Sequence, residues 1–170
     1  MAEHASRSTF TRWLTEYGGL MRKVVRSFAP RPEDQDDLFQ EIALQLWSSI
    51  PSFREEARAS TWVYRVSLNT ALTWQRGERR RRKRHEPLLA PDGVPDSQAG
   101  DTGASDKQGM LGWVYEQLRL LRPIDRALML LYLDGVSYRE MAGILGISES
   151  NVGVKLSRIK GRLAQAVKGR

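Results

Sequence analysis

Residues 137–163, SYREMAGILGISESNVGVKLSRIKGRL, have the pattern of two helices joined by a tight turn. Ser137 and Glu140 have the spacing of a capping box, in which the two side chains satisfy free backbone N–H groups at a helix start. Gly146 predicts the end of the first helix, because glycine tolerates the left-handed conformation that helix ends often need. Ser148 is placed to cap a second helix. The stretch therefore predicts a helix-turn-helix.

The second helix of this unit combines an apolar stripe with a polar and basic face. The predicted buried side carries apolar residues at spacings of four and three: Val152, Leu156, Ile159 and Leu163. In a helix-turn-helix the second helix enters the major groove, and its N-terminal residues read base edges. An ordinary helix pair with a solvated basic face is the alternative, but the capping box, the glycine turn and the basic helix together favour DNA binding. The candidate DNA-binding residues are Ser150, Asn151, Val154, Lys155, Arg158 and Arg162.

Composition limits the classes of function that this chain can have. Its 170 residues allow one domain or two small ones, and a formal charge of +7 suits a polyanionic partner. The sequence has no cysteine and only two histidines, neither in a motif, so we expect no disulfide, zinc finger, metal or other cofactor. No apolar run reaches the length of a membrane span, and no signal-peptide core is present. We expect a cytoplasmic protein without direct membrane insertion.

The N-terminal part predicts two helices after a loose polar tail at residues 1–10. Apolar residues from 11 to 28 fall on one helical face, although Gly18 and Gly19 allow either one strained helix or two. The prolines at 30 and 32 end that helix, and acidic residues begin the next, where the helix dipole favours negative charge. The predicted buried stripe of the second helix is Phe39, Ile42, Leu46 and Ile50. Another face carries Asp37, Gln40, Glu41 and Leu44.

A third helix is predicted from Ser60 or Thr61, after a short polar loop at residues 52–60. Its first half is rich in aromatic and apolar residues, and its second half becomes a dense basic run at residues 79–84. A disordered basic tail is one interpretation of that run. Aromatic rings followed by a cationic track are also the combination that holds single-stranded nucleic acid.

The remainder of the chain predicts a linker and a second helical unit. Residues 86–109 are rich in Pro, Gly, Ser and Asp, without periodicity, and predict a flexible linker. Helices are expected at 110–121 and 124–133, before the helix-turn-helix, and no strand is expected. Pro123 suits the first turn of the second of these helices, where no backbone N–H is needed. The predicted fold class is all-α, with two small helical domains joined by the linker.

The order of these features resembles the extracytoplasmic-function class of bacterial sigma factors, in the sigma-70 family. The resemblance rests on DLFQEIALQLW at 37–47, STWVYRVSLNTALTWQR at 60–76, the basic run, the linker and the terminal helix-turn-helix. It covers about residues 20–163. It implies sigma domain two at residues 11–85, the linker at 86–109 and sigma domain four at 110–168.

The resemblance implies protein partners. It makes Asp37, Gln40, Glu41 and Leu44 the exposed face of a helix that docks on the clamp helices of the largest RNA polymerase subunit. The alternative is that these polar residues only cap and solvate their helix. The flap of the polymerase is the implied partner of domain four. An anti-sigma factor is a further candidate partner, although no residue of this chain points to one by itself.

The resemblance also implies contacts with promoter DNA, both double-stranded and single-stranded. The loop at 52–60 and the third helix match the segment that melts the minus-ten element and receives a flipped base, which needs stacking partners. Phe53 and Trp62 could equally be core anchors, and Asn69 could be a buried amide. The implied minus-ten residues are Phe53, Thr61, Trp62, Arg65, Asn69, Thr73, Arg76, Arg79 and Arg80.

The recognition helix departs from the usual Thr-Val-Lys-Ser-Arg series of that family. In its place stand Asn151, Val152, Gly153, Val154 and Lys155. Asn151 suits adenine, Val154 suits a thymine methyl group, and Lys155 or Arg158 suits guanine or phosphate. The departure leaves the minus-thirty-five sequence open.

The function predicted from these observations is that of an alternative-type sigma factor, which binds polymerase core and directs promoter-specific initiation. The alternative is a helix-turn-helix regulator that binds operators without polymerase. A single-stranded RNA-binding protein would account for the third helix but not for the terminal unit. No nucleophile, metal cluster or phosphate loop is apparent, so we do not expect an enzyme.

Overall fold

The computed structural model describes residues 2–54, 58–85 and 106–168, and within these ranges the chain consists of helices joined by short turns, without a strand. This confirms the predicted all-α fold class. All but the last four residues of the predicted linker lie outside the described residues, and residues 106–109 form the first turn of the fourth helix. The helices are α1 (Ala2–Phe28), α2 (Pro32–Ser49), α3 (Ala59–His85), α4 (Asp106–Arg119), α5 (Pro123–Leu133), α6 (Tyr138–Leu145) and α7 (Glu149–Lys168), with a 3₁₀ turn at Ile50–Ser52 after α2.

Helix α1 is longer than predicted, because it begins at Ala2 and not after a tail. The prediction of a loose tail was wrong for a reason that sequence periodicity does not reveal. The ring of Phe10 packs edge-to-face on the ring of Trp47 in α2, with 5.3 Å between ring centroids. This aromatic contact anchors the early turns of α1 on the neighbouring helix, and such pairs contribute about 0.5–1.5 kcal/mol beyond the area that they bury.

Gly18 and Gly19 lie inside α1 and do not divide it. A glycine in a helix interior costs about 1 kcal/mol relative to alanine. Fully buried Trp13 and Met21 stand on either side of the pair, and each buried apolar side chain of that size contributes about 1.5–3 kcal/mol. The free energy gained by burying Trp13 and Met21 therefore outweighs the low helix propensity of the two glycines, and α1 continues as one helix.

Helices α1, α2 and α3 pack into the N-terminal unit. The central buried stripe of α2 is Leu38, Ile42 and Leu46, each with no exposed area. Phe39 and Ile50, which were predicted as members of the buried stripe, are only half-buried at its edge, whereas Leu38, which was predicted to flank the stripe, belongs to it. Two sets of apolar residues at helical spacing overlap on α2, one beginning at Leu38 and the other at Phe39. Packing against α1 and α3 buries the set that begins at Leu38.

Helices α4 to α7 form the C-terminal unit, with α5 at its centre. Residues 127–131 of α5 are all buried, because this helix packs against α7 and α6 on one side and against α1 and α3 on the other. The predicted start of α5 at a proline is confirmed, since Pro123 occupies its first position, where no backbone N–H is needed. The two units are therefore in direct contact through α5.

Candidate nucleic-acid and polymerase interfaces

The helix-turn-helix is formed by α6 and α7, and its predicted capping interactions are present. Ser137 and Glu140 form the complete capping box at the start of α6. Gly146 ends that helix with φ +66°, and the Ser148 hydroxyl accepts a hydrogen bond from the Asn151 N–H at 3.1 Å. Hydrogen bonds from the Ser137 hydroxyl and backbone N–H lower the pKa of the Glu140 carboxyl, because they stabilise its charged form. Local interactions thus define where α6 begins and ends and where α7 begins.

The exposed face of α7 carries most of the side chains that were predicted to contact DNA. Val152, Leu156 and Ile159 are buried against the rest of the unit, which leaves the opposite face open. Val154 is 48% exposed, enough for an apolar contact with a base. Exposed on this face are Ser150, Asn151, Val154, Arg158 and Arg162.

Lys155 differs from the other predicted DNA-binding residues of α7. Its ammonium group lies 3.0 Å from a carboxylate oxygen of Asp125, in the first turn of α5. The two side chains retain 28% and 14% of their exposure, respectively. The geometry directs Lys155 toward α5, so this ion pair joins the recognition helix to the central helix of its unit.

Gly153 lies where α7 meets α6. A Cβ atom built at this position would stand 3.7 Å from Cε2 of Tyr138. The Tyr138 ring, which is 37% exposed, therefore packs beside the backbone of the recognition helix. At that distance a Cβ would be in ordinary van der Waals contact with the ring, so the packing of Tyr138 does not by itself require a glycine at this position.

In the N-terminal unit, α3 presents a row of exposed polar and basic side chains. Their spacings of three and four place them along one side of the helix. Asn69 is exposed, so the alternative of a buried amide is wrong. Arg76 donates to the Thr73 hydroxyl at 3.2 Å. Exposed on α3 are Arg65, Asn69, Thr73, Arg76, Arg79 and Arg80, whereas the side chains of residues 82–84 lie outside the described part of the basic run.

Phe53 and Trp62 form an aromatic cluster with Trp13 beside the start of α3. The Phe53 ring lies 5.1 Å from the ring of buried Trp13 and 5.6 Å from that of Trp62. The indole N–H of Trp62 donates to the Ser49 hydroxyl at 3.0 Å. Phe53, Trp62 and neighbouring Thr61 are all half-buried, so the cluster is anchored in the core and also has an accessible edge. Residues 55–57 of the adjoining loop lie outside the described residues.

On α2, the residues predicted to bind polymerase lie away from its buried stripe. Asp37 and Gln40 are exposed, and Glu41 is half-buried and accepts a hydrogen bond from the Gln45 amide at 3.0 Å. Leu44 is 58% exposed. An exposed leucine with polar neighbours on one helical face is a surface that a protein partner can cover.

Arg126 of α5 is a buried residue that the sequence did not single out. Only 3% of it is exposed, and its guanidinium donates to four backbone carbonyl groups, those of Ser27, Leu118, Arg119 and Leu121. Burial, with further lowering by Arg79 and Arg119, lowers its pKa to about 10. Its acceptors lie at or beyond the ends of α1 and α4, where carbonyl groups lack intrahelical partners. No local pattern identifies such acceptors.

Two further kinds of site were sought among the described residues. No group of three or more His, Asp or Glu side chains there is arranged to hold a metal ion. None of the described helices is both long and apolar enough to cross a membrane.

Comparison with known families and proteins gives matches to both units, in chain order. The model of sigma-70 region 2 matches residues 13–81, and that of sigma-70 region 4 matches residues 111–163. The ECF RNA polymerase sigma factor SigM of Mycobacterium tuberculosis is 25% identical over 97% of this chain and 81% of its own length. The ECF RNA polymerase sigma-E factor of Haemophilus influenzae is 27% identical over 92% of this chain and 85% of its own length.

Two solved structures share the fold. The sigma factor RpoE of Bartonella quintana, solved in complex with the anti-sigma factor NepR, aligns with a TM-score of 0.72 and 20% identity, covering 94% of this chain and 97% of RpoE. CnrH, solved in complex with the cytosolic domain of CnrY, aligns with a TM-score of 0.68 and 19% identity, covering 99% of this chain and 95% of CnrH.

Proposed function

The chain belongs to the extracytoplasmic-function class of the sigma-70 family, and from this premise we propose that it binds RNA polymerase core and directs initiation at promoters of its own. One observation carries the proposal: matches to region 2 and region 4 follow each other in a single chain. A regulator that binds operators alone needs a helix-turn-helix but has no use for region 2. The proposed domains are residues 11–85 and 110–168, with residues 86–109 between them.

The upstream promoter element is read by the exposed face of α7. Asn151 can pair with adenine through two hydrogen bonds, Arg158 can contact guanine or phosphate, and Val154 can contact a thymine methyl group. Ser150 and Arg162 extend the same face. Lys155, held by Asp125, orients the helix and contributes less to base reading than its position on α7 suggests.

The minus-ten element is held by α3 and by the aromatic cluster at its start. The exposed row from Arg65 to Arg80 follows the unpaired strand, with arginines on phosphates and Asn69 on a base. A flipped base needs a stacking surface to offset the cost of leaving the duplex. The accessible edge of Phe53 and Trp62, beside Thr61, offers that surface.

The polymerase contact lies on α2, where Asp37, Gln40, Glu41 and Leu44 meet the clamp helices of the largest subunit. Region 4 meets the flap. The chain itself supplies no catalysis, because the polymerase carries the chemistry of RNA synthesis, and it works in the cytoplasm. An anti-sigma factor is a further proposed partner, supported by the complex with the anti-sigma factor NepR in which RpoE was solved.

Transcription reconstituted from bacterial core polymerase tests this function. The purified chain is added to core and to a library of candidate promoters, and transcripts are mapped to their start sites. We expect start-site-specific transcripts that depend on the chain. Absence of both core association and transcripts would overturn the proposal.

Two pairs of variants test the assignment of the surfaces. Gln40→Ala/Leu44→Ala should weaken core binding by about tenfold or more, whereas Asp36→Asn should not, because Asp36 is exposed on the same helix but lies about a quarter turn away from the middle of the proposed face. Asn151→Ala/Arg158→Ala should change which promoters are used without loss of core binding. Gln165→Ala/Lys168→Ala, at the exposed far end of α7, should leave promoter choice unchanged.

A further inference from the structure

Two lysine side chains of the recognition helix, α7, are bound to the central helix of their unit, α5. The Lys155 ammonium group lies 3.0 Å from the Asp125 carboxylate, in the first turn of α5. The Lys160 ammonium group lies over the Tyr132 ring near the end of α5, with 4.7 Å to the ring centroid. The two partners on α5 lie about 10 Å apart along the helix axis, at 1.5 Å per residue. Helix α7 is therefore attached to α5 at two separate points.

The two lysines flank the buried stripe of α7 on opposite sides. A helix turns by about 100° per residue, so Lys155 and Lys160 each lie about 70° from the middle of the stripe. That stripe is formed by Val152, Leu156 and Ile159. One contact alone would let α7 pivot about it, whereas two contacts on either side of the stripe oppose rotation about the helix axis. They therefore fix the direction in which the exposed face of α7 points.

Lys155 stands at the edge of the face that is proposed to contact DNA, between Asn151 and Arg158 along the helix. A lysine carries a compact charge on a flexible stem of four carbons, so from this position it can reach either a DNA phosphate or α5. In the structure its charge is on α5, and its side chain retains 28% of its exposure. The position of Lys155 would allow a DNA contact, and its ion pair directs it elsewhere.

Asp125 is well placed to retain the Lys155 charge. Its carboxylate lies in the first turn of α5, where the helix dipole favours negative charge. Its side chain retains only 14% of its exposure, and salt screens partly buried pairs much less than exposed ones. Without this carboxylate the ammonium group would extend on its stem toward water, as lysines at apolar surfaces do. On that side of α7, the proposed anion is the DNA backbone.

We propose that Asp125 is a positioning residue for promoter recognition, which retains the Lys155 ammonium group on α5 and so keeps one positive charge off the DNA backbone while it orients α7. This inference rests on the proposed sigma-factor function and extends it to a residue outside the DNA-facing surface. A phosphate contact strengthens binding to every sequence and carries no base information. Asp125 thus exchanges part of the affinity of α7 for DNA for a fixed orientation of its base-reading face.

The salt dependence of promoter binding measures where the Lys155 charge goes. For duplex DNA, the slope of log Kobs against log salt changes by about 0.9 for each phosphate that a cation neutralises. Holoenzyme made from core and the full chain is bound to a promoter from the transcription library between about 50 and 200 mM salt. Lys155→Met should leave the slope unchanged. Arg158→Met/Arg162→Met, at exposed cations of the same helix, should make it shallower by about 0.9 or more.

Variants of Asp125 test the retention directly. Asp125→Ala should release Lys155 to the backbone and steepen the slope by about 0.9, and Asp125→Ala/Lys155→Met should return to the slope of the unsubstituted protein. Asp125→Glu, which keeps a carboxylate, should retain that slope. Glu116→Ala is the matched control for net charge, because it removes an exposed carboxylate of α4, and it should leave the slope unchanged.

Promoter discrimination measures the orientation of α7 separately from its charge. The ratio of holoenzyme affinity for a promoter to that for the same promoter with a scrambled upstream element is compared among the variants. Asp125→Ala and Lys155→Met both break the ion pair. Each should therefore lower this ratio by about fivefold, the lower end of what one bidentate base contact contributes. Only Asp125→Ala should also steepen the salt dependence, which a loss of packing alone would not do.

The outcomes separate this proposal from the assigned function. A shallower slope for Lys155→Met, or an unchanged slope for Asp125→Ala, would overturn the retention of the charge, and an unchanged ratio in both variants would overturn the orienting role. If the chain binds no core, the sigma-factor function fails, and the same slopes are measured with the chain alone on random-sequence duplex DNA. A steeper slope for Asp125→Ala there would still support the retention of Lys155. Thermal unfolding establishes that each variant is folded.

Discussion

The two units of this protein are specified in different ways. The helix-turn-helix is defined by local interactions: a capping box, a glycine with φ +66° and a serine cap lie within a dozen residues. The N-terminal unit depends on contacts between residues far apart in sequence, such as Trp13 with Phe53 and Phe10 with Trp47. Local interactions of this kind contribute about 1 kcal/mol each, whereas buried side chains in a shared core contribute several times more. Substitutions should therefore affect the two units by different amounts.

The largest expected effect is that of Trp13→Ala. Trp13 has no exposed area and packs against Phe53, so its removal leaves a cavity among α1, α3 and the adjoining loop. The free energy of unfolding, measured with urea, should fall by about 3–5 kcal/mol. Leu44→Ala, at a residue 58% exposed, should change it by less than about 0.5 kcal/mol. Similar losses for both would mean that the N-terminal core is not organised around this tryptophan.

Arg126→Met tests the connection between the units and should have the next largest effect. The methionine keeps much of the apolar stem but leaves four carbonyl groups without their donor. The Leu118 carbonyl still accepts from the Leu121 N–H, but each buried acceptor that is left without a partner costs about 1–3 kcal/mol. We therefore expect a loss of about 3 kcal/mol in urea unfolding. Arg122→Met, at an exposed arginine just before α5, is the control and should be near neutral. An unchanged midpoint for Arg126→Met would contradict the role of this residue.

A pair of glycine substitutions measures one local interaction of the helix-turn-helix. Gly146→Ala places a side chain at φ +66°, which costs about 1–2 kcal/mol for an L-residue. Gly143→Ala lies inside α6, where a Cβ meets nothing within 4 Å, and should stabilise by up to about 1 kcal/mol. The two substitutions are therefore expected to change the melting temperature in opposite directions. Changes of the same sign would show that the left-handed turn at Gly146 does not determine the stability of this unit.

The smallest expected effect concerns the pH dependence of the capping box. The folded protein lowers the pKa of Glu140, chiefly through hydrogen bonds from Ser137. Stability from this group is present above the unfolded pKa, about 4.3, and is lost as the pH falls through the lower folded value. Glu140→Gln should therefore be less stable than the unsubstituted protein at pH 7. The difference between the two proteins should disappear as the pH falls below about 4. A constant difference between the two proteins from pH 7 to pH 3 would contradict this coupling.

The same contrast explains what the sequence could predict. The start of α5 at Pro123 and the turn at Gly146 were predicted correctly, because their signals lie in adjacent residues. The helix at residues 2–10 and the choice of Leu38 over Phe39 were missed, because each is decided by a neighbouring helix. Arg126 was missed for the same reason, since its acceptors are backbone groups at the ends of other elements.

The candidate site also contains residues that a local sequence pattern predicts and contacts that it does not. The exposed face of α7 follows from its periodicity, and its solvent-facing residues lie where the pattern placed them. The pairing of Lys155 with Asp125 joins residues on two helices, and no local pattern predicts it. The roles proposed for α2 and α3 come from the family resemblance, because periodicity alone left open whether their polar faces are solvated or bind a partner.

The most direct test of the central claim is promoter binding and transcription measured with and without core polymerase at one stated salt concentration. We expect stable association with core, and specific promoter protection with start-site-specific transcripts only when core and this chain are both present. Tight, sequence-specific duplex binding by the chain alone, with no association with core and no transcripts, would contradict it. That result would identify an operator-binding regulator.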